Sequence, residues 1–411
     1  MTPARDDGPL RVLARNRDFR WLFAAELVIF GGDWFVLIPL LGLLGRLTGG
    51  GLAGGLALAI DTGVNALLLP YTGTVADRID RRKILVIANL SAVAGVALLF
   101  TVHSAATAWL GLLGVAVVAV AKAFASPAAS AAIPNLVEPA DLSAAVAVTG
   151  AAWGTMSVVG ASLGGVLAAA LSPYACFVIA AIALVLATGL CAGVRRPMQV
   201  PRDRAVPHPP VLAAIREAMR YLGGHPRVRA LVTVKSAVGL GNGVLVVYPV
   251  LAMLMHTGSA GTGLLFAARG LGALLGPLIV RRFYVRRPDR LFPGLAVAML
   301  VYGVSYLAIA TFLWLPAVVG LILLAHGAGA SNWSMSSAAM QALIPDELRG
   351  RVLSVDLMIM TLVMATSQIA VGLLVDHTPP RVLVAACGSV TILYALVWRL
   401  LTRRAIVVIS P

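Results

Sequence analysis

"GTVADRIDRRK", residues 73–83, carries six charged side chains in eleven positions, in a chain that is only 12% charged and 60% hydrophobic. Apolar runs of about twenty residues flank it, enough to cross a hydrocarbon layer ~30 Å thick at ~1.5 Å per residue. The stretch is a tight polar turn between two membrane spans, and the fold follows from how many such spans there are. Twelve windows qualify: 19–44, 52–76, 84–103, 106–126, 143–171, 174–194, 229–256, 260–280, 291–312, 316–340, 353–375 and 381–402. A mean hydropathy of +0.93 over 411 residues agrees. The expected fold class is an all-α membrane protein with twelve transmembrane helices.

The net charge of +15 would point to nucleic acid in a water-soluble chain. Here 27 of the 32 lysines and arginines fall in the terminal segments and alternate loops of one side, or, for Arg20, Arg229 and Arg399, at the adjoining span ends, when the N-terminus is placed inside. Only Arg46 and Arg381 lie on the other side, while Lys122, Lys235 and Arg269 lie within spans. That asymmetry is the positive-inside pattern, which accounts for the charge without a nucleic-acid partner. It predicts a multi-pass protein of the cell (inner or plasma) membrane with both termini in the cytoplasm. The arginine-bearing N-terminus runs into a long apolar span without a small-residue cleavage site, the pattern of an uncleaved first helix. Cys176, Cys191 and Cys387 lie inside spans, so neither a disulfide framework nor a metal site is expected, and no cofactor is implied.

The one long interruption is 195–228, with five prolines followed by "VLAAIREAMRYLGG", where Val211, Leu212, Ile215, Met219 and Leu222 recur at helical spacing opposite Arg216, Glu217 and Arg220. It reads as a cytoplasmic linker with an amphipathic helix on the membrane surface. This divides the chain into an N-terminal six-helix bundle (1–194) and a C-terminal one (229–411). The halves echo each other: "AAIPNLVEPADLSAAV" (131–146) resembles "ALIPDELRGRVLSV" (342–355), with Pro134 against Pro345, and Gly276 and Arg281 repeat the spacing of Gly73 and Arg78. A half-length repeat points to two pseudo-symmetric bundles around a central path, as in many secondary transporters.

In the turn after span 2, Gly73, Asp77, Arg78, Arg81 and Arg82 match the form Gly-x-x-x-Asp-Arg-x-Gly-Arg-Arg, with Asp80 in place of the second glycine. The sequence thereby resembles the major facilitator superfamily. That substitution, "GDWF" (32–35), "SPAASAAIPNLV" (126–137) and "REAMRYLGGHPRVRALV" (216–232) look like the exporter branch that includes enterobactin and macrolide efflux proteins. The resemblance implies that Asp77 and Arg78 form a charge lock between the halves, with the start of helix 11 near Gly350 and Arg351 as the partner of Asp77. On physical grounds the arginines of the turn are headgroup-level anchors. "GASLGG" (160–165) is similar to the antiporter stretch Gly-Pro-x-x-Gly-Gly, but Ala161 replaces its proline. Gly160, Gly164 and Gly165 read first as a small-residue packing face, as do Gly272 and Gly276.

Ionisable groups inside spans are costly and are functional candidates by default. Glu26 and Asp33 are seven residues apart and share a helix face. Depth counting puts Asp33 roughly 21 Å and Asp61 roughly 24 Å from the cytoplasmic end of their helices, so the two acids can face one cavity. Carboxyls gathered in such a place hold protons more readily than in water, which suits proton-coupled transport. The competing reading pairs Asp33 or Asp61 with Arg269. Lys122 and Lys235 read as snorkelling cations near cytoplasmic ends, and Asp356 as a first-turn acid of helix 11. Asn65, Asn242 and Gln368 are candidate cavity hydrogen-bonders. The low aromatic content, 6%, weighs against a strongly aromatic binding site.

No lysine follows a glycine, so a Walker A loop is absent and a primary pump is excluded. "GASLG" formally fits a hydrolase elbow, but Ser162 lies within an apolar helix instead of a strand-to-helix turn. The expected function is a non-enzymatic, monomeric exporter of a small amphiphilic or lipophilic molecule (a drug, macrolide or siderophore-like compound) by proton antiport. The alternative is a proton-independent facilitator or lipid flippase of the same fold. Its partners are the small-molecule substrate, protons and the lipid bilayer.

Overall fold

The computed structural model describes residues 11–199, 211–284 and 290–406; the side chains of Asp77, Arg78, Arg281 and a few other helical residues lie outside what it describes. Among the described residues, twelve helices are long and apolar enough to cross a membrane: α1 (Arg17–Thr48), α2 (Leu52–Arg78), α3 (Arg81–Leu99), α4 (Ala108–Leu136), α5 (Leu142–Ala170), α6 (Pro173–Ala192), α7 (Pro226–Leu254, in pieces), α8 (Gly258–Tyr284), α9 (Leu291–Thr311), α10 (Leu315–Leu343), α11 (Asp346–Leu374) and α12 (Pro380–Ile406). Lipid offers backbone groups no partner, so each span must satisfy its own hydrogen bonds as a helix.

Packing divides them into two bundles of six with the same internal contacts. In the first, α1 lies against α5 and α6, α3 against α4 and α6, and α2 against α4; in the second, α7 lies against α11 and α12, α9 against α10 and α12, and α8 against α10. The most extensive contacts between bundles are α2 with α11 and α5 with α8, the same pairing exchanged by the pseudo-twofold. Helix starts set the repeat register: Leu52 and Gly258 are 206 apart, as are Pro139 and Pro345, which precede α5 and α11. The expected alignment of Pro134 with Pro345 is therefore displaced, because Pro134 lies inside α4.

We call the membrane face carrying the α2–α3 and α6–α7 connections the N-face. On the opposite face the bundles are sealed. Asp376, just beyond α11, accepts hydrogen bonds from the amides of Gly51 (2.5 Å) and Leu52 (3.2 Å) at the start of α2. A Cβ on Gly55 would fall 2.8 Å from Cα of Gly372, and one on Gly165 2.7 Å from Cα of Gly263, so helix backbones touch there. Toward the N-face, a Cβ on Gly150 of α5 or Gly350 of α11 would meet no described atom within 4 Å.

Helix α7 is not continuous. Around "GLGNG" (239–243) it tightens into a 3₁₀ segment, Asn242–Val247, before resuming at Tyr248. Three glycines lower helix propensity, and α11 takes up the freed backbone: Ser367 Oγ accepts from the amide of Gly243 (3.0 Å) and donates to the carbonyl of Leu240 (2.5 Å). Mid-helix 3₁₀ turns of this kind mark hinges. The amphipathic stretch forms a helix, Val211–Gly224, that packs on α11, buries Ala218 and Leu222, and pairs Glu217 with Arg351.

Candidate functional site

Lys122 stands at the middle of α4, fourteen residues from either end. Its Nζ is 3.1 Å from Asp33 Oδ2 on α1 and 3.2 Å from Asp61 Oδ1 on α2, with about a quarter of each side chain open (26%, 27% and 28%). The depth count that placed Asp33 and Asp61 together is thus matched by a shared cation. The snorkelling expected for Lys122 is wrong because α4 runs on through Pro127 and Pro134, ten residues past the expected end of span 4 at 126. Nor is Arg269 the partner of either acid; Lys122 holds both. The three charges persist there because each aspartate faces the ammonium, and removal of Lys122 would leave two neighbouring carboxylates without a counter-ion.

The triad lines a cavity of about 200 Å³ between the bundles. Phe30, Trp34 and Phe266 give it an aromatic wall, with the rings of Trp34 and Phe266 5.7 Å apart. From the second bundle come Leu245, Arg269, Met364 and Gln368. Nε of Arg269 and Oε1 of Gln368 are buried without hydrogen-bond partners among the described residues, and Gln368 is 1% exposed.

Behind Phe266 lies a buried polar cluster. The Tyr248 ring is 5.1 Å from that of Phe266, its hydroxyl is 2.8 Å from that of Tyr306, and the Tyr306 hydroxyl is 2.7 Å from His326 Nε2. Sequence reasoning passed over these residues; the signal available was a histidine in the interior of span 10.

Other candidates separate from the cavity. Glu26 is buried near Cys191 in the first bundle, its Oε2 unpartnered among the described residues, and it does not line the cavity. Asn65 is half-buried one turn beyond Asp61, and Asn242 is buried in the 3₁₀ segment with its amide 3.4 Å from the Val238 carbonyl; neither lines the cavity. Gly160 and Gly164 bring α5 onto the α1 backbone at Trp34, where Cβ atoms would fall 2.7 Å from Trp34 Cδ1 and 2.8 Å from its carbonyl oxygen. They thereby position an aromatic wall of the cavity.

Lys235 and Asp356 depart from expectation. Lys235 is 2% exposed, bonds Asp356 and Ser337 (2.9 Å to the latter), and lies 5.4 Å from the centre of the Trp333 ring. Asp356 stands three turns into α11, so the helix-start role does not apply; it is the counter-ion of Lys235.

In the 73–83 turn, Asp80 caps α3 by accepting from the amides of Arg82 (2.8 Å) and Lys83 (3.3 Å), which explains an acid where the related motif has glycine. Arg81 donates to the carbonyls of Ala76, Ala131 and Met198, and Arg82 to those of Arg195 and Arg196. These arginines stitch the N-face of the first bundle together. The side chains of Asp77 and Arg78 lie outside those described; Arg351, expected near Asp77, is paired with Glu217.

Comparison with known proteins agrees with this architecture. The sequence profile described as Major Facilitator Superfamily matches residues 26–355. The chain is 28% identical over 360 residues to the enterobactin exporter EntS of Salmonella paratyphi A, covering 84% of this chain and 82% of the relative. It is 26% identical over 361 residues to the enterobactin exporter EntS of Escherichia coli O1:K1, with the same coverage. Among solved structures it resembles a bacterial homologue of the human lysosomal transporter Spinster in an inward-facing, unoccupied conformation (TM-score 0.72, 16% identity, 96% and 99% of the two chains). It also resembles the POT family transporter PepTSo (TM-score 0.75, 12% identity, 95% and 98%). With twelve spans, a half-length repeat and a profile match over most of its length, this chain belongs to the Major Facilitator Superfamily, a family of membrane transporters and not of enzymes.

Proposed function

We propose that the chain exports a small amphiphilic or lipophilic molecule from the cytoplasm, by alternating access, in exchange for entering protons. The observation that carries this reading is Lys122 held between Asp33 and Asp61 at the wall of the cavity between the bundles. The site has more carboxylate than it has cation, so a proton or a basic group of a ligand can compete with Lys122 for an aspartate. A ligand entering from the N-face takes one carboxylate; a proton arriving from the opposite face displaces it. Each occupant favours a different packing of the bundles only insofar as it binds the two states differently, and the ion triad ties α1, α2 and α4 into one body that can register the change. The relatives named as enterobactin exporters support export, and the basic loops of the N-face support its placement in the cytoplasm, with both termini there.

The test is the pH gradient of energised inside-out vesicles containing the protein, challenged with a panel of lipophilic drugs and siderophores. Substrate-triggered collapse of the gradient, absent in Asp33→Asn, supports proton exchange. Transport of a panel compound with no movement of protons overturns it in favour of a facilitator or flippase.

A further inference from the structure

The cavity walls differ in charge. The wall from the first bundle holds Asp33, Asp61 and Lys122, formally one net negative charge, while the wall from the second bundle holds one cation, Arg269. Neither aspartate pairs with Arg269, whose Nε is buried without a partner, and Gln368, 1% exposed on the same wall, leaves Oε1 without a donor. Buried polar atoms are almost always satisfied, and those that are not ask for a ligand or a water. Phe30 and Trp34 on the first wall and Phe266 on the second add an apolar, aromatic surface, with the rings of Trp34 and Phe266 5.7 Å apart.

We propose that the cavity selects zwitterionic amphiphiles. A basic group sits against Asp33 and Asp61, an aromatic or apolar body stacks along Trp34 and Phe266, and an anionic group accepts hydrogen bonds from Arg269. The inference rests on the proton-exchange reading above, since the basic group is what a proton displaces. It adds that Arg269 sets specificity without handling protons. A ligand with a cation alone leaves Arg269 unpaired, and one with an anion alone meets the net negative wall. Each mismatch loses a charge-assisted hydrogen bond inside a low-dielectric site, about tenfold or more in affinity.

The test uses three charge forms of one probe and the full-length protein in detergent: 6-(aminomethyl)naphthalene-2-carboxylic acid, its methyl ester, which keeps only the cation, and its N-acetyl derivative, which keeps only the anion. Isothermal titration should show the free amino acid binding about tenfold more tightly than either derivative. Arg269→Gln should bring the ratio of acid to ester close to one, Arg269→Lys should restore part of it, and Asp61→Asn should erase the preference over the N-acetyl form. Because ratios are read, a general loss of binding in a variant does not imitate the result. Equal affinity for acid and ester in the parent protein, tightest binding of the N-acetyl form, or no binding of any of the three overturns the inference. None of those outcomes touches proton exchange, which the vesicle measurement decides separately.

Discussion

Replacing Lys235 with methionine should be among the most damaging single changes in the second bundle, and pairing it with Asp356→Leu should recover most of the loss. Lys235 and Asp356 are 2% and 6% exposed, and the ammonium also bonds Ser337 and faces Trp333. Alone, Lys235→Met leaves the Asp356 carboxylate buried on α11, with Oδ1 already lacking a partner among the described residues. Stranding a buried charge in this way costs about 3–5 kcal/mol, and losing the ring contact adds about 1 kcal/mol. In the double variant no charge remains to desolvate, and apolar groups of similar volume are close to neutral or better. Thermal unfolding in detergent can be followed with a thiol-reactive dye, because Cys176, Cys191 and Cys387 are all buried and free in the fold. The expected order is parent and double variant close together, with Lys235→Met well below both. A double variant as unstable as the single, or a single variant indistinguishable from the parent, refutes the assignment of this pair as a mutually neutralising clamp between α7 and α11.

Two further changes probe the moving parts. Asp376→Ala removes the acceptor for the amides of Gly51 and Leu52; because Asp376 is exposed, the loss should be about 1 kcal/mol, roughly a fivefold shift toward opening on that face. Spin-label distances between α2 and α11 on the opposite face should lengthen in a larger fraction of molecules, and an unchanged distribution counts against the latch. Ser367→Ala leaves the Gly243 amide and Leu240 carbonyl of the 3₁₀ segment without their shared partner, at about 1–3 kcal/mol. It should raise hydrogen exchange locally in α7 around residues 240–247 while α9 stays protected, whereas exchange unchanged at 240–247 would show that α11 does not hold the hinge.

Much of the fold was legible because lipid imposes a simple rule: every span must be an apolar helix, so hydropathy windows and the loop charges found all twelve. Helix ends were less legible. α4 continues past Pro127 and Pro134, since a proline in a packed transmembrane helix loses one hydrogen bond that neighbours can replace. That error in length displaced Lys122 from the middle of its helix to its end, and so hid the cation that organises the site. The acids were found for the opposite reason: Asp33 and Asp61 sit deep in spans whose cytoplasmic ends were read within two residues, and depth needs only a count. Lys235 and Asp356 were misread because pairing across α7 and α11 depends on helix rotation, which a sequence does not state. The Tyr248–Tyr306–His326 cluster is likewise an outcome of three helices meeting. The motif turn was recognised as a motif, yet what Arg81 and Arg82 do there depends on carbonyls up to 117 residues away.

The central claim is that ligand and proton compete at the aspartates that share Lys122. The most direct measurement is the number of protons released when a transported compound, identified in the vesicle screen, is added to purified protein in weak buffer containing a pH indicator. The account predicts proton release on binding, falling as the pH is raised and abolished in the Asp33→Asn, Asp61→Asn double variant. Binding accompanied by proton uptake, or by no change in bound protons at any pH, contradicts it.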